Sequence, residues 1–120
     1  MDITLYHNPR CSKSRQTLEL LREAGHEPLV VEYLKTPPTA RQLQALVKRL
    51  GVPVRELIRT NEPPYQELGL GAADISDQDL IKAIAEHPIL LNRPIVVTAH
   101  GARICRPPEL VNELLESPSP

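Results

Sequence analysis

Asp2-Ile3-Thr4-Leu5-Tyr6-His7-Asn8-Pro9-Arg10-Cys11-Ser12-Lys13-Ser14-Arg15-Gln16-Thr17-Leu18-Glu19-Leu20-Leu21-Arg22-Glu23-Ala24-Gly25 holds, in immediate succession, a strand pattern, a basic turn containing a cysteine, and a helix pattern. Apolar and polar residues alternate over residues 2–6, the period of a strand with one buried face. Residues 16–24 are rich in helix formers, with Leu18, Leu21 and Gly25 at helical spacing, and Gly25 is placed to stop the helix. Cys11 therefore stands where a strand hands over to a helix N-terminus. There the unpaired backbone N–H groups and the macrodipole favour thiolate over thiol. Arg10, Lys13 and Arg15 add cationic charge nearby, and Ser14, one turn on, is placed to donate its hydroxyl to the sulfur. Such surroundings bring a cysteine from a pKa of about 8.5 into the range of roughly 3.5–7.5. A nucleophilic thiolate is expected.

The rest of the first third continues the pattern. Pro28-Leu29-Val30-Val31-Glu32-Tyr33-Leu34 is a second strand, so the opening forms a β-α-β unit, whose strands run parallel. Thr39-Ala40-Arg41-Gln42 has the form of a capping box, and Leu43, Leu46, Val47 and Leu50 follow at i, i+3, i+4 and i+7. Shorter helical stretches begin at Val54 and at Pro63, and Ser76 or Asp77 caps a helix carrying Leu80, Ile81 and Ile84. Residues 39–87 thus read as a helical insertion rather than a separate domain, because about 50 residues struggle to stabilise a core alone. Ile95-Val96-Val97-Thr98 and Ala102-Arg103-Ile104-Cys105 flank a glycine-containing loop and predict a hairpin. Pro107-Pro108-Glu109 opens a last helix, and residues 117–120 read as a disordered tail. The order β-α-β, helical insert, β-β-α predicts an α/β protein with a mixed four-stranded sheet, a single domain over residues 1–116.

Composition narrows the function. A formal net charge of −1 gives no global bias toward nucleic acid or an anionic membrane. With neither Phe nor Trp, the core must be aliphatic. No apolar run reaches the roughly 18 residues of a membrane span. Met1-Asp2-Ile3 does not open a signal-peptide pattern, so a cytoplasmic protein is expected. The two cysteines, Cys11 and Cys105, make no disulfide framework, and Ser14 stands where a Cys-x-x-Cys motif would place its second thiol. His7, His26, His87 and His100 lack metal-ligand spacing, so no metal site is expected. Arg59, Arg93 and Arg106 each fall at an element boundary, and a guanidinium fork suits an oxyanion or a carboxylate.

His7-Asn8-Pro9-x-Cys11 with Ser14-Arg15, Tyr33-Leu34-x-Thr36-Pro37-Pro38, Asn92-Arg93-Pro94-Ile95-Val96-Val97 and Ile104-Cys105-Arg106-Pro107 together resemble the glutaredoxin-coupled arsenate reductases. The resemblance keeps these motifs in order over nearly the whole chain. Ser12-Lys13 replaces the Gly-Thr typical of the arsenic-resistance members and resembles the family's short housekeeping branch. The resemblance implies a thioredoxin-like fold, with Cys11 attacking arsenate and Arg59, Arg93 and Arg106 binding the oxyanion. His7 and Ser14 match positions that support the thiolate, with Arg15 beside them. It also implies glutathione as co-substrate, glutaredoxin as partner, no bound cofactor, and a cis peptide before Pro94. Cys105 is expected to be a buried strand residue. Two other readings remain open: a general glutathione- or glutaredoxin-linked thiol oxidoreductase, which should tolerate loss of Arg59 or Arg106, and a non-enzymatic redox regulator binding RNA polymerase, which usually senses through the Cys-x-x-Cys pair missing here.

Overall fold

Four short strands and five α-helices follow one another along residues 2–115, the part of the chain that the structure, a computed structural model, describes. The proposed disordered tail at 117–120 lies outside the described residues. The chain divides into two compact units, one formed by residues 2–33 together with 93–115, the other by residues 34–92.

The first unit holds the sheet. Strands β1 (Thr4–His7), β2 (Leu29–Glu32), β3 (Ile95–Thr98) and β4 (Gly101–Ile104) lie in the order β2-β1-β3-β4. β1 runs parallel to β2 and antiparallel to β3, while β3 and β4 form an antiparallel hairpin pairing Thr98 with Gly101. This is the mixed four-stranded α/β sheet expected from the element order, with the thioredoxin-like fold that the resemblance implies. Helix α1 (Ser12–Glu23) is the crossover between the parallel strands and packs on β1. Leu21, fully buried on α1, meets Ile3, Leu5, Val96, Cys105, Val111 and Leu114 in an aliphatic core. Burying one such leucine contributes about 1.5–3 kcal/mol. The predicted last helix begins instead as a 3₁₀ turn, Pro108–Val111, and becomes α5 (Asn112–Leu115). Proline at a helix start removes no intrahelical donor, because first-turn N–H groups have no partner within the helix, and short 3₁₀ turns are frequent at such starts.

The second unit is helical. Thr39 caps α2 (Ala40–Leu50) through a complete capping box with Gln42, and Gly51 ends it in the left-handed region at φ 66°. After a 3₁₀ turn at Val54–Leu57 come α3 (Pro63–Glu67), with proline in its first turn, and α4 (Asp77–Glu86), capped by the Ser76 hydroxyl. α4 buries Leu80, Ile81 and Ile84 and packs against α2 and the 3₁₀ turn. Ile58 pairs with Leu91 in an isolated bridge that ties the two ends of this unit's later half together. The unit is wider than the predicted insertion because the chain on both sides of residues 39–87 joins it.

Candidate active site

His7 ends β1, and the next four residues form a turn held by its own backbone. The Cys11 N–H donates to the Asn8 carbonyl at 3.0 Å, and the Arg10 N–H donates to Asn8 Oδ1 at 3.0 Å. An asparagine bonding two residues ahead is an Asx turn, which is why Asn-Pro can reverse the chain here. The Asn8 N–H points to Ser14 Oγ at 3.4 Å, and the Arg15 guanidinium donates to the Pro9 carbonyl at 3.0 Å. Helix and turn therefore brace each other from both sides.

Cys11 is the residue that caps α1, with extended dihedrals of −91° and 122°, and its carbonyl accepts the first helical bond from the Arg15 N–H. That geometry leaves its sulfur over the first turn. Burial is the largest single influence on this thiol and opposes ionisation, but it is outweighed. The backbone N–H groups of Ser14 and Lys13, the charge of Arg93 and the Ser14 hydroxyl together bring it down to about 7. Hydrogen bonds and positive charge favour the anion, and their sum exceeds the desolvation cost. The thiolate is therefore accessible near neutral pH.

The other predicted residues fall as follows. His7 is buried, and burial lowers its pKa against the opposing charge of Glu32, with Arg15 and Arg22 lowering it further. Its Nδ1 is buried without a hydrogen bond. A neutral imidazole is the favoured form. Arg93 lies at the entrance to β3, close enough to Cys11 for its charge to stabilise the thiolate. The Arg93–Pro94 peptide is cis, as the resemblance implied; Arg106–Pro107 is also cis, which was not foreseen. Arg106 is exposed at the end of β4, and its guanidinium donates to the Arg93 carbonyl at 3.1 Å. The sheet thus brings Cys11, Ser14, Arg15, Arg93, Arg106 and His7 into one unit. Arg59 belongs to the helical unit, where it forms an ion pair with Glu62 at 2.5 Å.

With this geometry in view, comparison with known proteins is decisive. The model of the ArsC family matches residues 6–114. An arsenate reductase of Yersinia enterocolitica is 53% identical over 117 residues, covering 98% of this chain and 83% of its own. An arsenate reductase of Escherichia coli K12 is 52% identical over 114 residues, covering 95% of this chain and 81% of its own. The solved arsenate reductase of Vibrio cholerae superposes with a TM-score of 0.92 at 49% identity, covering 95% of this chain and 98% of that one.

The chain belongs to the ArsC family.

Within this ArsC chain, sequence reasoning missed where the charge that supports the thiolate comes from. Local basic residues were expected to supply it. Instead Lys13 acts through its backbone N–H, and the charge comes from Arg93, far along the chain. Only the pairing of β1 with β3 brings Arg93 near the Cys11 turn, so no local pattern could reveal it. Cys105 is fully buried in the aliphatic core, and burial pushes its thiol up to about 12 against the nearby charge of Arg103. Both burial and the raised pKa disfavour the thiolate at this strand-end residue. Among the described residues no cluster of His, Cys, Asp and Glu is arranged to hold a metal ion, and no helix is long and apolar enough to cross a membrane.

Proposed function

We propose that this chain is an arsenate reductase that uses Cys11 as nucleophile, glutathione as co-substrate and glutaredoxin as the partner that restores it. A thiol at about 7 beside the Arg93 guanidinium carries the assignment, because that pair joins a nucleophile to a cation suited to an oxyanion. In this reading the Cys11 thiolate attacks arsenic, forming a sulfur–arsenic bond as an oxygen leaves as water. The Arg93 and Arg106 guanidinium groups stabilise the charge that develops on the remaining oxygens. Arg59, which stands in the helical unit, is assigned to the oxyanion by the family resemblance alone.

A glutathione thiolate then attacks the Cys11 sulfur. The sulfur–arsenic electron pair passes to arsenic, which falls from arsenic(V) to arsenic(III) and departs as arsenite, leaving a Cys11–glutathione disulfide. Glutaredoxin exchanges that disulfide and frees Cys11. An external thiol is required because Ser14 stands where an internal resolving cysteine would be and Cys105 is buried in the core. Ser14 holds the thiolate directly, Arg15 secures the turn through the Pro9 carbonyl, and burial keeps His7, at the end of β1, toward its neutral form. The cytoplasm, where glutathione and thioredoxin keep thiols reduced, is the compartment this chemistry needs.

The test is arsenate-dependent NADPH consumption in the presence of glutathione, glutaredoxin and glutathione reductase. Wild type should turn over and Cys11→Ser should not. Arg93→Lys and Arg106→Lys should each lower kcat/KM by about tenfold or more, since lysine keeps the charge but loses the fork. Turnover by Cys11→Ser would remove the nucleophile. Reduction of glutathionylated proteins without any activity on arsenate would replace the reading by a general thiol oxidoreductase.

A further inference from the structure

The arginine assigned to the oxyanion from the helical unit already holds an anion of the chain's own. The Arg59 Nη1 donates to Glu62 Oε1 at 2.5 Å. Both side chains are largely withdrawn from solvent, 18% and 19% exposed, so water screens the pair less than a surface ion pair. Neither end of the contact is free to drift. The Arg59 N–H donates to the Leu90 carbonyl at 2.7 Å, next to the Ile58–Leu91 bridge. The Asn92 N–H donates to the Leu57 carbonyl at 2.8 Å, and the Asn92 side chain to the Glu56 carbonyl at 3.1 Å. Glu62 is the residue that caps α3, its carbonyl accepting from the Tyr65 N–H at 3.0 Å, and Pro63-Pro64 follow it at once. A three-residue turn between two anchored points thus presents a carboxylate to the guanidinium.

A carboxylate and a tetrahedral oxyanion compete for the same guanidinium N–H groups. A carboxylate tethered three residues away does so at high effective concentration. We propose that Glu62 is a built-in competitor for the oxyanion at Arg59, which an incoming substrate must displace. The inference rests on the assignment of Arg59 to the oxyanion site. Glu62 acts through Arg59 rather than on the substrate, so it is a positioning residue that sets how strongly an oxyanion is held. Its removal tightens binding and leaves the Cys11 thiol where it is.

Sulfate, a tetrahedral oxyanion that these thiols do not reduce, is the probe. Calorimetric titration of the full chain should show Glu62→Gln binding sulfate on the order of fivefold more tightly than wild type. Glu62→Asp, which keeps the charge but draws it back by one methylene, should give a smaller gain. Glu67→Gln, the same charge change at an exposed position on α3, should give none. On an Arg59→Ala background the effect of Glu62→Gln should vanish. The KM for arsenate should fall in Glu62→Gln by the same factor as the sulfate Kd, with the Cys11 titration midpoint unchanged. Unchanged or weaker sulfate binding in Glu62→Gln overturns the proposal, as does a gain that persists without Arg59. If Arg59→Ala weakens sulfate while Glu62→Gln fails to tighten it, the competitor role alone falls. If Arg59→Ala changes neither sulfate binding nor arsenate turnover, Arg59 leaves the oxyanion site and the competitor role falls with it.

Discussion

The turn at Cys11 and the strand end at Cys105 belong to the same unit of the molecule, and both bury a thiol, yet the first sits at about 7 and the second at about 12. Burial disfavours the thiolate in both places. At Cys11 it is opposed by two backbone N–H groups, a serine hydroxyl and the Arg93 charge; at Cys105 the opposing influence is the charge of Arg103. The Cys105 backbone is tied into the sheet through its N–H to the Pro94 carbonyl at 2.9 Å, its thiol donates to the Arg103 carbonyl at 3.8 Å, and the residue belongs to the core with Leu5, Leu21 and Val111. An N–H group already committed to a sheet ladder cannot serve a sulfur, whereas the first turn of a helix leaves such groups unspent. Reactivity here follows the element on which the cysteine stands, not the residue type.

The largest effect that this contrast predicts is in alkylation of the native protein. With one thiol at about 7 and the other pushed up to about 12, thiolate is abundant at neutral pH at Cys11 and scarce at Cys105. Iodoacetamide followed by peptide mass spectrometry should therefore label Cys11 at least about a thousandfold faster than Cys105. Comparable rates would break the comparison outright. The Cys11 rate should rise with pH through a midpoint at about 7 and level off above pH of about 8, since the thiolate is the reactive form. The sign for stability follows from the same shift. A thiol whose folded pKa is depressed stabilises the fold above its unfolded value of about 8.5, and that contribution is lost as pH falls through about 7.

A smaller effect separates the two sources of support. Arg93→Ala should raise the Cys11 midpoint by about one unit, measured by thiolate absorbance, while Arg93→Lys should preserve most of the shift. No movement in Arg93→Ala would mean that the helix N–H groups act alone. Ser14→Ala should give the smallest rise, less than Arg93→Ala, because it removes the hydroxyl but leaves the Ser14 backbone N–H in place. A larger rise than Arg93→Ala would make the side chain, not the helix terminus, the principal donor.

Much of this was legible in the chain. The alternation before Cys11, the capping box at Thr39 and Gln42, the glycine stop at Gly51 and the serine cap at Ser76 each involve residues within about four positions of one another. Their energetics are local, so their pattern survives in the linear sequence. The double proline at Pro107-Pro108 was also visible, but its outcome was not. Whether such a start becomes α or 3₁₀ depends on the surface it packs against, here α1 and β4.

The sequence by itself determined the element order, and with it the mixed sheet, the strand-to-helix handover at Cys11 and a thiol primed by the helix start, because all of these rest on neighbours in the chain. Tertiary structure alone decided that Arg93 charges the thiolate, that Cys105 is sealed in the core and that Arg59 holds Glu62. The first two depend on strand register, which couples residues far apart in sequence. The third depends on the Ile58–Leu91 bridge and the Arg59–Leu90 hydrogen bond, which set where Arg59 stands before its side chain chooses a partner. Electrostatic interactions fall off with distance in space and not with separation along the chain, and only the fold converts one into the other.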